Sequence, residues 1–233
     1  GREYIDFVSG VASNGLGHAH DSMVKAIQEQ AENLIHFGLN YGYYESVVKL
    51  SEKIAQIAPG NLDTIFFSNS GGEAIDGALK MARAVTGRPG IIAFDGSFHG
   101  RTLGATSVTG SSSKYRTSYE PLLGEIYHAT YPYPGLLKED APKNMMRYSL
   151  SQIESLFELR IAPERVAAIL IEPVMGEGGY YPAPNEFLQE LRKIADQYGI
   201  LLIFDEVQTG FGRTGKMFAS EHSGVIPDIL VLA

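Results

Sequence analysis

Residues 200–204, ILLIF, are five apolar residues in a row that run without a turn into Asp205 and Glu206. A strand apolar on both faces is buried on both faces, which happens in parallel sheets covered by helices on each side. Similar runs lie at 64–67, 90–94, 165–171 and 229–232. Segments 73–85 and 187–198, with helical periodicity, lie among them. This alternation predicts an α/β fold: a three-layer α/β/α large domain with a mainly parallel sheet, over 45–233. Residues 1–44 would then belong to a small α+β domain of which they form only a part. There, 4–11 predicts a short strand and 22–34 a helix with Met23, Ile27, Gln30 and Leu34 on one face. Residues 36–44 predict a loop. Residues 46–57 predict a second helix, with Val47, Leu50, Ile54 and Ile57 aligned. The Tyr-, Pro- and Gly-rich stretch 128–144 predicts a surface wrap or an interface. Gly1 and Ala233 both read as internal positions of a longer chain.

Charge and composition remove several classes of function. The net charge is −8, and the 19 Lys and Arg form no run. Nucleic acid or an anionic membrane surface would call for a basic stripe. With no cysteine, disulfides, thiolate catalysis and Cys-ligated metals are excluded from this sequence. A reducing compartment is permitted, and a cytoplasmic location is expected. No apolar run approaches the roughly 20 residues that span a bilayer.

Four segments carry candidate chemistry. In SNSGGEA (68–74), between a strand and a helix, Ser70 and Glu73 have capping-box spacing, which makes Ser70 the N-cap. Gly71 and Gly72 then lie in the first turn, where bare N–H groups and the helix dipole can hold a phosphate; close packing of a capped helix is the alternative. Asp205 lies at the carboxyl end of a buried strand, where ligands of open α/β sheets bind. A half-buried carboxylate needs a positive partner, and a protonated pyridine nitrogen or a metal ion would serve. The magnesium reading lacks a Walker lysine, and no metal is expected. GSFHGRT (96–102) offers Phe98 for stacking, His99, and Arg101 for a carboxylate; core packing and a structural histidine are the alternatives. In IEPVMGEGG (171–179), Glu172 and Glu177 read as an acid–base pair or as structural carboxylates.

Taken in this order, SNSGGEA, FDGSFHGRT, IEPVMGEGG and FDEVQTGFGRTG resemble the class III aminotransferases, which depend on pyridoxal phosphate and have fold type I. YIDFVSGVASNGLGHAH resembles the glycine-rich N-terminal segment of the same family. Gly72, Met175 and Asp21 depart from common choices at those positions. The resemblance implies transamination of an amino or ω-amino acid with an oxo-acid acceptor, in a homodimer. It also implies roles. Gly71 and Gly72 would bind phosphate beside Ser70. Phe98 and Val207 would face the two sides of the ring, with His99 nearby. Asp205 would pair with the ring nitrogen, Gln208 with its phenolic oxygen, and Glu172 would support Asp205. Val11 and Arg101 would line the substrate pocket, and Glu177 would gate it. The lysine that binds the cofactor covalently is expected directly after Ala233. A racemase or epimerase on the same scaffold, or a non-catalytic binding protein of this fold, is the competing reading.

Overall fold

The structure, a computed structural model, describes residues 1–137 and 143–233; part of the 128–144 stretch therefore lies outside the described residues. The chain forms two compact units, Gly1–Ile65 and Phe66–Ala233.

The second unit is built on a five-stranded parallel sheet. Its strands are β1 (Gly90–Asp95), β2 (Ile126–Thr130), β3 (Val166–Ile171), β6 (Leu201–Asp205) and β7 (Ile229–Val231), in the order β2-β1-β3-β6-β7. Side chains alternate across it. Ile92, Phe94, Ile169, Ile171, Leu202 and Phe204 join one core cluster. Ile91, Ala93, Ala168, Leu170 and Ile203 join another. Helices α6 (Met145–Leu159) and α7 (Asn185–Tyr198) supply Ile153, Phe187 and Leu191 to the first cluster. Helices α4 (Gly71–Thr86) and α5 (Leu103–Val108) supply Ile75, Leu79 and Val108 to the second. Both faces are covered, as the continuous apolar runs require, and the three layers are those expected. A short antiparallel pair, β4 (Val174–Met175) with β5 (Tyr181–Pro182), follows β3.

The strand order creates a switch point. From β1 the chain continues to β2 on one side, and from β3 to β6 on the other. The loops leaving the carboxyl ends of β1 and β3 therefore diverge and leave a crevice between them, the usual ligand position in such sheets.

Several expectations need correction. The segment 64–67 is not a strand. It has a strand's composition but no paired neighbour, and Phe66 lies close to Gly77 of α4 instead. Tyr131 does not lie on the surface. Its ring is fully buried, edge-on to Phe94 at 6.2 Å, and its hydroxyl lies 3.2 Å from the Glu172 carbonyl and 3.1 Å from that of Tyr181. The edge strand β2 and helix α6 also emerge where no element was expected.

The first unit holds α2 (Asp21–Asn33) and α3 (Glu45–Ile57), matching the two expected helices. The expected strand over 4–11 does not form. Ser9, Gly10, Val11 and Ala12 all have positive φ and wind one left-handed turn, labelled α1 (Ser9–Ala12); a strand needs extended backbone. No residue of 1–65 is buried.

Candidate active site at the switch point

Helix α4 begins at Ser70, whose Oγ accepts from the Glu73 N–H at 3.2 Å. Glu73 reaches back to the Asn69 N–H at 2.6 Å, one residue before the cap. Gly71 and Gly72 open a 16-residue helix, so their N–H groups lack intrahelical acceptors. Two other loops crowd this end. A Cβ on Gly71 would come within 3.1 Å of Val207, and one on Gly100 would lie 2.5 Å from the Gly72 Cα. Gly100 has φ +125°, so its glycine satisfies both the conformation and the close approach.

Asp205 ends β6 and is buried. Its Oδ1 accepts from the Val207 N–H at 3.1 Å, and its Oδ2 lies 2.8 Å from His99 Nδ1. The His99 side chain is also fully buried, and its Nε2 has no hydrogen-bond partner among the described residues. The His99 N–H donates to Thr109 Oγ1 at 3.0 Å. The imidazole therefore orients the carboxylate from behind, and each carboxylate oxygen keeps a lone pair for a further donor.

Glu206, the next residue, turns elsewhere. Its carboxylate is fully buried and accepts from the Ala219 and Ser220 N–H groups and from Thr209 Oγ1. It ties the loop after β6 to the start of α8 (Ser220–Ser223). The DE pair is thus two residues with separate partners.

Glu172 leaves β3 at the switch point. Its Oε2 accepts from the Phe98 N–H at 3.0 Å and its Oε1 from the Gly176 N–H at 3.1 Å. One carboxylate so fixes the loops following β1 and β3. Burial pushes its carboxyl up to about 7, and the nearby Asp205 charge adds to this. Glu177 has different partners: Tyr115 Oη donates to its Oε1 at 2.7 Å, and Lys114 Nζ lies 3.4 Å away. The two glutamates do not share partners. Phe98 is half-buried and meets Tyr115 edge-on, with centroids 5.0 Å apart. Gln208 approaches Gly176, where a Cβ would fall 2.2 Å from Gln208 Oε1. Arg101 is exposed beside Gly100. Val11 lies in the first unit, in the left-handed turn.

Gly71 thus meets Val207 and Gly72 meets Gly100, while Phe98 is hydrogen-bonded to Glu172, His99 and Val207 to Asp205, and Gln208 lies against Gly176; Ser70 caps the same helix end. Sequence reasoning missed Thr109, Tyr115 and the anchoring task of Glu206. Tyr115 lies in SSSKYRTSY, a polar loop with no periodicity or motif to single it out.

The family model described as Aminotransferase class-III matches residues 1–233. The 5-aminovalerate aminotransferase of Pseudomonas putida is 43% identical over 236 residues, covering 100% of this chain and 54% of that protein. The alanine/serine racemase of Pyrococcus horikoshii is 39% identical, covering 99% of this chain and 50% of that one. Among solved structures, taurine:2-oxoglutarate aminotransferase from Bifidobacterium kashiwanohense, in complex with PLP and glutamate, aligns with a TM-score of 0.90 at 32% identity. That alignment covers 100% of this chain and 53% of that one. The chain spans about half the length of the relatives it matches. Among the described residues, no helix is long and apolar enough to cross a membrane.

Proposed function

Because the chain belongs to the class III aminotransferase family, we propose that it forms the cofactor-binding part of an enzyme that uses pyridoxal phosphate for transamination. The donor is an amino or ω-amino acid and the acceptor an oxo acid. The observation that carries this reading is Asp205: a buried carboxylate at a strand end, braced by His99 and the Val207 N–H. It is reached by the same loops that crowd the open N-terminus of α4.

The residues fit the cofactor by their donor set. First-turn N–H groups at Gly71 and Gly72 suit a phosphate, with no side chain in the way. Asp205 suits a ring N–H, and in a buried site it holds the proton on that nitrogen. Phe98 and Val207 provide an aromatic and an aliphatic face, and Gln208 an amide for the phenolic oxygen. Glu172 positions the Phe98 loop, and Arg101 serves a substrate carboxylate. When bound, pyridoxal phosphate supplies an electron sink and carries the amino group between the two half-reactions. Residues 1–44, Val11 included, form part of a small domain, and 45–233 form part of the large one. The intact enzyme is a cytoplasmic homodimer. Light scattering tests the oligomer, and a fully active monomer would refute it.

Asp205→Asn in the full-length enzyme tests the assignment. The fold should persist, as judged by circular dichroism. Turnover should drop roughly a hundredfold, about 3 kcal/mol of barrier. Wild-type turnover at saturating cofactor would reject the role. The racemase relative motivates a second assay, incubation with one amino acid and no oxo acid. Transamination predicts conversion of the cofactor to its amine form without inversion; sustained inversion would favour racemisation.

A further inference from the structure

Tyr131 directly follows β2, the edge strand, yet its hydroxyl ends beside the exit of β3, on the far side of β1. On the way its ring passes Phe94, near the carboxyl end of β1, edge-on at 6.2 Å. The hydroxyl faces three carbonyls: Glu172 at 3.2 Å, Pro173 at 3.4 Å and Tyr181 at 3.1 Å. Pro173 leads into β4 and Tyr181 lies in β5, so a single donor holds both sides of the hairpin and the Glu172 backbone. Burial pushes the Tyr131 hydroxyl pKa up, which keeps it a donor at any working pH. What it fastens bears on the ring-stacking loop at two points. The Glu172 carboxylate accepts from the Phe98 N–H at 3.0 Å. The hairpin backs the start of the same loop: a Cβ on Gly96 would lie 2.5 Å from Met175 Sδ, and one on Gly178 would lie 2.4 Å from the Gly96 carbonyl.

We propose that Tyr131 is a positioning residue: by tying the Glu172 backbone to the β4–β5 hairpin, its hydroxyl sets where the Phe98 loop stands at the crevice. This rests on the cofactor reading only for what Phe98 faces. Tyr131 touches no reacting atom and acts through Glu172. Tyr131→Phe keeps the ring against Phe94, so the core around it stays filled. The carbonyls of Glu172 and Tyr181 lose a donor. The hairpin base then loosens, and Glu172 passes that freedom on to the Phe98 N–H. A loop that must first be ordered binds its ligand more weakly. The effect is confined to the loops after β1 and β3. Helix α7 does not share it, although its Phe187 packs on the same Phe94 ring.

The test compares four full-length proteins: wild type, Tyr131→Phe, Glu172→Gln and the double variant. Hydrogen exchange is followed by mass spectrometry on the holoenzyme. The dissociation constant of pyridoxamine phosphate is measured by calorimetry after removal of the cofactor. In Tyr131→Phe, exchange over 96–102 and 172–178 should speed up about fivefold, while α7 exchanges as in wild type. Pyridoxamine phosphate should bind about threefold more weakly. In the Glu172→Gln background, the further effect of Tyr131→Phe on 96–102 should fall below about twofold. A larger further effect there would overturn the proposal. So would unchanged exchange over 96–102, equally faster exchange in α7, which marks a merely structural role, or an unchanged affinity for pyridoxamine phosphate. A wild type that does not bind pyridoxamine phosphate at all would reject the cofactor reading instead, and the exchange results would still decide the role of Tyr131.

Discussion

Helices α3 and α7 have nearly equal lengths and comparable apolar stripes, yet their surroundings are opposite. Helix α7 buries Phe187, Leu188, Leu191 and Ala195 against the sheet. Helix α3 carries Val47, Leu50, Ile54 and Ile57 on one face and buries none of them. The contrast extends to the units that hold them. Residues 1–65 contain no buried side chain, whereas the sheet unit has a core on each face. An amphipathic pattern states that a helix has a face to cover. Coverage itself is a property of the neighbours. Burial-driven shifts of ionisable groups are found in the second unit. In the first unit Asp6 is lowered chiefly by the Ser9 N–H, and Glu45 by Lys49. In the second, burial is the leading cause for Glu172 and His128.

Matched leucines sharpen this comparison most. Leu191→Ala in α7 should cost about 4 kcal/mol, because it leaves a cavity in a closed core. The measurement is denaturant unfolding of the full-length protein. A cost near zero there would break the contrast.

The pH dependence comes next. The Glu172 carboxyl is raised to about 7, so between about 4.5 and 7 the native state binds more protons than the unfolded chain. Its contribution to stability therefore falls as pH rises through that window, by about 3 kcal/mol in total. His128 runs the other way. Burial, with help from the Arg116 charge, lowers it to about 4. Between 4 and about 6.5 the unfolded state then binds the extra proton, and stability rises with pH. His128 is only half-buried, so its part is nearer about 2 kcal/mol. The two slopes oppose each other in wild type. His128→Gln should expose the falling slope and Glu172→Gln the rising one, in unfolding midpoints followed from pH 4.5 to 7.5. Parallel slopes in the two variants would contradict the assignments.

Glu206→Gln follows, at about 2 kcal/mol. Its carboxylate takes two backbone N–H groups and a hydroxyl in a dry site, and an amide can accept at only one atom. Thermal unfolding of the variant should show the loss; an unchanged midpoint would mean that the 218–220 loop has other anchors. The smallest effect is expected at Leu50→Ala in α3, within about 0.5 kcal/mol, since Leu50 is 48% exposed. A loss above about 2 kcal/mol would show that another surface covers α3 in the intact protein.

The sequence by itself determined those local features that a motif or an apolar pattern marked. The apolar runs named β1, β3, β6 and β7 but not the edge strand β2, because a strand buried on both faces cannot alternate. Ser70 announced the start of α4, because a cap bonds three residues ahead. Asp205 declared itself by ending a buried strand, and the order of four short motifs identified the family. Tertiary structure decided which loops meet. Phe98 and Glu172 are 74 residues apart, His99 and Asp205 are 106, and Tyr115 and Glu177 are 62. These pairs exist because β3 inserts between β1 and β6, and no local pattern encodes that order. It also decided between neighbours of like chemistry. Asp205 faces His99 while Glu206 secures a loop, and Tyr131 fills the core where its composition had suggested a surface. Local sequence limits backbone conformation over one or two turns. A side chain's partner depends on what the rest of the chain brings within about 3 Å.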